Sequence, residues 1–166
     1  MANTYTQLYV HVVFAVKGRA NLISKSWNEK LYKYITGITS NKNQKLMLVN
    51  GMPDHLHILI GLRPDCNLSD LIRDIKANSS KWINENKLVL VKFEWQTGFG
   101  AFSVGQSQVK TVINYILNQE EHHKKKTFRE EYIEFLNANQ IDFKPEYIFE
   151  DFSIAPTELN ESNDSQ

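Results

Sequence analysis

The chain holds a single cysteine, Cys66, in 166 residues. One thiol excludes a disulfide framework within the chain and favours a reducing, cytoplasmic compartment. Its polar setting, Arg63-Pro64-Asp65-Cys66-Asn67-Leu68-Ser69-Asp70, does not suggest a nucleophile. No apolar run approaches the roughly 20 residues of a membrane helix. The opening Met1-Ala2-Asn3-Thr4-Tyr5 lacks the basic start and apolar stretch of a secretory signal. Internal repeats and low-complexity tracts are also missing ahead of the C-terminus. Basic residues disappear late: Glu146, Glu150, Asp151, Glu158, Glu161 and Asp164 follow with no Lys or Arg among them.

That last absence changes the reading of the charge. The whole chain is neutral, with 19 basic and 19 acidic residues. Residues 1–145 carry all 19 basic residues against 13 acidic ones, a net +6. A basic body is compatible with phosphate backbones, and equally with a merely solvated surface. The length and the composition, 42% hydrophobic and 23% charged, fit one soluble domain with a proper core. We place that domain at residues 1–140, with an acidic, partly disordered tail at 141–166.

Gln7–Val16, rich in β-branched and aromatic residues, reads as a buried strand. Ser26-Trp27-Asn28-Glu29 has the form of a capping box and predicts a helix to about Ile38. Strands follow at Lys45–Met52 and His55–Leu62, joined by a Pro53-Asp54 turn. Asn67 caps a helix with Leu68, Leu71, Ile72, Ile75 and Trp82 on one stripe. Val89–Trp95 reads as a fourth strand, and a glycine-punctuated loop precedes a helix from Ser107 to about Lys124. Thr127-Phe128-Arg129-Glu130 opens a last helix, to about Asn137. This β-α-β-β-α-β order predicts an α+β, ferredoxin-like (split βαβ) antiparallel sheet with helices on one face, plus C-terminal helices.

Two places carry chemistry. In Pro53-Asp54-His55-Leu56-His57-Ile58-Leu59-Ile60 the histidines are two apart, so both point to one face of the strand. The opposite face is aliphatic and belongs to the core, which makes the histidine face the open one. Two adjacent imidazoles are good metal ligands. Spacing alone leaves open two solvent-facing histidines. In the helix after Ser107, the apolar stripe is Val109, Val112, Ile113, Ile116 and Leu117. Tyr115 lies about 130° from its centre at 100° per residue. Gln119 stands one turn further on the same face, and His122 continues the row. An outward phenol is a candidate nucleophile and a neighbouring amide oxygen a candidate ligand. Taken alone, the helix fits a surface Tyr and Gln as well.

Together the two elements resemble a known family, the single-tyrosine HUH transposases of insertion sequences (the IS-two-hundred type) and their REP-associated relatives. His55-Leu56-His57 matches the His–hydrophobic–His motif. The stretches YVHVVFAVKGR, GMPDHLHILI, WQTGFGAFSV and YILNQEEHHKKKTFREEY resemble family segments in family order, over about residues 7–135. The resemblance implies that His55, His57 and Gln119 hold one divalent cation, and that Tyr115 attacks a single-stranded DNA phosphate to give a 5′-phosphotyrosine. The ligand types are divided: imidazoles alone favour zinc, copper or nickel, whereas an amide oxygen with open positions suits Mg2+ or Mn2+. The family points to Mg2+ or Mn2+. It also implies hairpin DNA as partner and a homodimer with shared active sites, with the tyrosine helix crossing on a hinge of Gly98, Gly100 and Gly105. DNA contacts are expected from Lys17, Arg19, Arg73, Lys76 and Lys81, with Lys124–Lys126 adding basic charge. Phe99 is a candidate base-stacking group, Trp95 more a core residue, and His11 a neighbour of the histidine pair. Two alternatives remain: a domesticated REP-associated nuclease acting on chromosomal palindromes, and a non-catalytic nucleic-acid-binding module on the same scaffold.

Overall fold

The computed structural model describes residues 4–144. The acidic tail therefore lies outside the described residues from position 145 onward. Four strands, β1 (Leu8–Ala15), β2 (Lys45–Met52), β3 (His55–Leu62) and β4 (Gly100–Val104), form one antiparallel sheet in the order β2-β3-β1-β4. That is the ferredoxin-like order, with β1 and β3 central.

Helices α1 (Asn28–Asn41) and α2 (Leu68–Glu85) cover one face. Their Leu31, Ile35, Leu71, Ile72 and Ile75 pack on Val12, Phe14, Leu56, Ile58 and Ile60, the aliphatic set that alternation assigns to that side. Asn67 caps α2 by accepting from the Asp70 N–H at 3.1 Å. Trp27, not Ser26, stands at the N-cap of α1, with no side-chain cap, and the helix runs three residues past Ile38.

The other face is not open. Helices α3 (Val109–Leu117), α4 (Gln119–His123) and α5 (Phe128–Ala138) lie over it. Helix α3 sets Val109 and Ile116 against Leu59, while α5 sets Phe128, Tyr132 and Leu136 against Val13, Ala15 and Phe102. The sheet is thus sandwiched between helices, and this second layer buries the histidine face. Thr127 caps α5, accepting from the Glu130 N–H at 3.2 Å.

Two elements differ from their sequence reading. Residues 89–95 form no strand beyond one bridge, Val16 to Trp95. The Asn84 side chain takes both the N–H (2.8 Å) and the C=O (3.0 Å) of Phe93, which removes those groups from any ladder. The edge strand comes later, at Gly100–Val104, inside the expected loop. Gly100 is required there, because a Cβ would sit 2.9 Å from the Tyr132 ring. The expected helix from Ser107 also breaks at Asn118 (φ −97°, ψ 26°), dividing it into α3 and α4.

Candidate active site

His55 and His57 sit on β3 and are both fully buried. Strand register puts His57 beside Val13 of β1 and Asn50 of β2, and His11, two residues before Val13, on the same face of β1. The Asn50 amide donates to the Ile116 C=O at 2.9 Å, tying α3 to the sheet. This docking brings Tyr115, and after the break Gln119, over the imidazoles.

The histidine pair and Gln119 meet: His55 Nε2 stands 3.2 Å from Gln119 Oε1, and Gln119 is fully buried. Sequence reasoning missed two further members. Glu131 of α5 reaches down so that its Oε1 lies 2.9 Å from His57 Nε2 and 3.7 Å from His55 Nε2. His123 of α4 brings Nε2 to 3.1 Å from Gln119 Oε1 and 3.4 Å from Glu131 Oε2. One ligand atom each from His55, His57, His123 and Glu131 lies within 4.8 Å of all the others. Glu131 did leave a signal. Phe128, Tyr132 and Leu136 form the buried stripe of α5, with Phe135 half-buried beside them, and position 131 falls inside it. A carboxylate on an apolar stripe needs a partner.

Hydrogen bonds at the far nitrogen of each imidazole orient the rings. The Asp54 carboxylate accepts from His55 Nδ1–H at 2.7 Å. Arg19 clamps Asp54 through Nε (3.1 Å) and Nη2 (2.9 Å), with its guanidinium 4.8 Å above the Phe128 ring. His11 Nε2 meets His57 Nδ1 at 2.8 Å. The Lys126 C=O accepts from His123 Nδ1–H at 3.1 Å.

Tyr115 donates its hydroxyl to Glu131 Oε2, and His122 stacks on its ring at 4.3 Å. The phenol that completes the site is this chain's own. Of the proposed hinge glycines, only Gly98 has a positive φ (+87°); Gly105 has an extended backbone and Gly100 is locked beneath Tyr132.

Burial sets the electrostatics first. It pushes His57 down to about 4, against the pull of Glu131, and His11 down to about 3, helped by His57. Burial also pushes the Tyr115 phenol well above its usual range, and the Glu131 anion adds to this. Glu131 is driven up by burial, but hydrogen bonds with His123 and His57 more than offset that and hold it far below the ordinary carboxylate range. Asp54 is likewise opposed by burial, yet His55 and Arg19 bring it to about 2. A buried carboxylate without such partners would cost several kcal/mol.

The expected DNA-contacting cations scatter. Lys17 is exposed and pairs with Glu94 at 3.1 Å. Arg19 is buried and engaged with Asp54, so it supports the site from within instead of lying on the surface. Arg73, Lys76 and Lys81 ride on α2, across the sheet from Tyr115. Arg73 pairs with Asp70 at 3.2 Å and Lys81 lies 3.9 Å from Glu85. Lys76 donates to the Gln96 C=O at 2.9 Å, and burial lowers it to about 8. Nearer the site, Lys124 pairs with Glu121 and Lys126 with Glu134. Trp95 belongs to the core and donates to Ser79 Oγ at 2.9 Å; Phe99 packs at the margin of the same cluster.

Among the described residues no helix is long and apolar enough to cross a membrane. No curated protein matches the chain. The fold recurs in solved structures, among them these two. A protein from Deinococcus radiodurans described as a transposase superposes with a TM-score of 0.59 at 19% identity, covering 72% of this chain and 95% of its own. A REP-associated tyrosine transposase bound to a REP hairpin superposes with a TM-score of 0.57 at 16% identity, covering 74% of this chain and 73% of its own. The family described as "Transposase IS200 like" matches residues 4–119, from the approach to β1 through Tyr115 to Gln119. The chain belongs to the IS200-like transposase family.

Proposed function

We propose that this transposase cleaves and rejoins single-stranded DNA through a covalent bond to Tyr115. The reading is carried by one observation: Tyr115 and His57, 58 positions apart, both bond the Glu131 carboxylate inside one buried cluster. His55, His57 and Gln119 offer two imidazole nitrogens and an amide oxygen within reach of each other, a donor set that fits a divalent cation. Such a cation, when bound, supplies positive charge to a scissile phosphate.

The chain's own residues do the rest. Tyr115 Oη attacks phosphorus, forming the Oη–P bond as the P–O3′ bond breaks. The phenolic proton departs and the leaving 3′ oxygen takes one up, giving a 5′-phosphotyrosine and a free 3′-hydroxyl. Attack by another strand's 3′-hydroxyl reverses the step and joins DNA without a nucleotide cofactor. Glu131 holds the phenol by its hydroxyl. As a carboxylate kept far below its usual range it is a weak base, so in this arrangement it orients Tyr115 and does not ionise it.

The substrate belongs to the same proposal: hairpin DNA near element ends. The likeness to a hairpin-bound REP-associated transposase supports it. Dimerisation is part of it too, with each chain using its own tyrosine. The test is incubation of the protein and a Tyr115→Phe variant with single-stranded oligonucleotides from the gene's flanks, plus manganese, followed by denaturing gels and peptide mapping. Wild type is expected to give a DNA–peptide adduct at Tyr115, and the variant none. An adduct on any other residue, or binding without an adduct, would overturn the reading.

A further inference from the structure

We infer that His123 and Glu131 join His55, His57 and Gln119 to form a metal centre built for a first-row transition ion, of the manganese, cobalt and zinc class, in preference to magnesium. This deepens the proposed function and rests on its reading of His55, His57 and Gln119 as the metal side of the site.

The argument comes from which atoms can donate hydrogen bonds. Asp54 and the Lys126 C=O can only accept, so His55 and His123 carry their protons on Nδ1. In the neutral rings Nε2 is then a bare lone pair. Both Nε2 atoms point at further acceptors: His55 at Gln119 Oε1 (3.2 Å) and Glu131 Oε1 (3.7 Å), His123 at Gln119 Oε1 (3.1 Å) and Glu131 Oε2 (3.4 Å). Lone pairs facing lone pairs in a buried space repel unless a proton or a metal ion lies among them; a proton serves one contact at a time, as between His57 or His123 and Glu131, whereas one metal ion placed among the converging atoms serves every donor at once. His57 fits the same pattern, since His11 at its Nδ1 can take a proton as readily as give one. Rings with Nδ1 engaged outward and Nε2 converging inward are the arrangement metal-binding histidines adopt.

Donor chemistry then selects the ion. Three imidazoles, one carboxylate and the Gln119 amide oxygen are a mixed set in which nitrogen leads, one that suits zinc, cobalt and manganese, whereas magnesium takes oxygen ligands and keeps its waters. Nitrogens about 2.0–2.1 Å from a tetrahedral ion stand roughly 3.3 Å apart, inside the 4.8 Å spread of the imidazole and carboxylate donor atoms. Among the described residues, His123 alone of the five donors borders a surface hollow. A hollow of about 810 Å³ opens beside His123, lined by Lys25, Asp54, Lys126 and Thr127 among others.

The probe is Co2+, titrated into the full chain while its visible absorption is followed, with Zn2+ and Mg2+ as competitors. We expect one Co2+ per chain, with the intense band of a four- or five-coordinate ion, displaced by equimolar Zn2+ but not by a large excess of Mg2+. His123→Ala and Glu131→Gln, each checked for native circular dichroism, should each weaken Co2+ binding at least about tenfold. Wild-type affinity in both variants, displacement by equimolar Mg2+, or no Co2+ uptake would each overturn the inference, the last meaning that protons alone bridge the cluster. Should one variant fail to fold, the other decides. Adduct formation at Tyr115 is scored in parallel. An adduct with Mg2+ and Co2+ binding indifferent to His123 and Glu131 sinks this inference alone. Tight, His123-dependent Co2+ binding with no adduct sinks the proposed function alone.

Discussion

Single residues in this site are held in charge states they would not keep in water. His57 and His11, held at about 4 and about 3, are neutral when folded, while an unfolded histidine titrates near 6.5. Below that value the unfolded chain binds more protons, so stability is complete above pH 6.5 and is lost as pH falls through 4. Asp54 extends the loss toward about 2. His123, which Glu131 raises despite the opposing effect of burial, works the other way and gives up its contribution as pH rises. Two lowered imidazoles outweigh one raised one, so the urea midpoint of the metal-free protein should drop between about pH 7 and pH 4.5; a flat profile would contradict this balance. Arg19 gives a sharper case. Arg19→Ala strands the Asp54 carboxylate at the back of His55 and should cost about 3 kcal/mol in chemical denaturation. A loss under about 1 kcal/mol would mean that Arg19 is a surface cation after all.

Elements show what could be read in advance and what could not. The β3 motif and the α3 tyrosine were legible because both rest on local periods, two for a strand and 3.6 for a helix. Tyr115 and Gln119 do face the histidines, even with the helix broken between them. Glu131 was legible only as a carboxylate on an apolar stripe in need of a partner; that the partner is His57, 74 positions away, and that His123 joins them, is decided by the docking of α4 and α5. The open histidine face failed for the same reason: alternation tells which face is aliphatic, not whether a later helix will cover the other. The misplaced fourth strand turned on a single side chain, since Asn84 withdraws Phe93 from pairing. Gly100 makes the dependence on α5 testable. Gly100→Val drives a side chain into Tyr132 and should destabilise the fold by about 1–3 kcal/mol. It should also weaken Co2+ binding by displacing Glu131, and unchanged binding would show that α5 is seated independently of β4.

At the scale of the whole molecule, the donors and the phenol belong to one chain. Mixing Tyr115→Phe with His57→Ala protein should therefore restore no DNA-adduct formation. Recovery would require a tyrosine and a histidine pair from different subunits, as a shared site demands. The family match ends at Gln119, so α5 and its carboxylate lie beyond the segment that identifies the chain.

The strand order has one more effect. Because β3 is laddered on both sides, by β1 and β2, its amides open only when the sheet itself comes apart, whereas β4, among the described residues, has a neighbour on one side only. In deuterium exchange, His55 to Ile60 should be among the last amides to label and Gly100 to Val104 among the first of the sheet. The imidazoles are thus mounted on the slowest-breathing part of the molecule, and thermal fraying at its margins leaves their spacing intact.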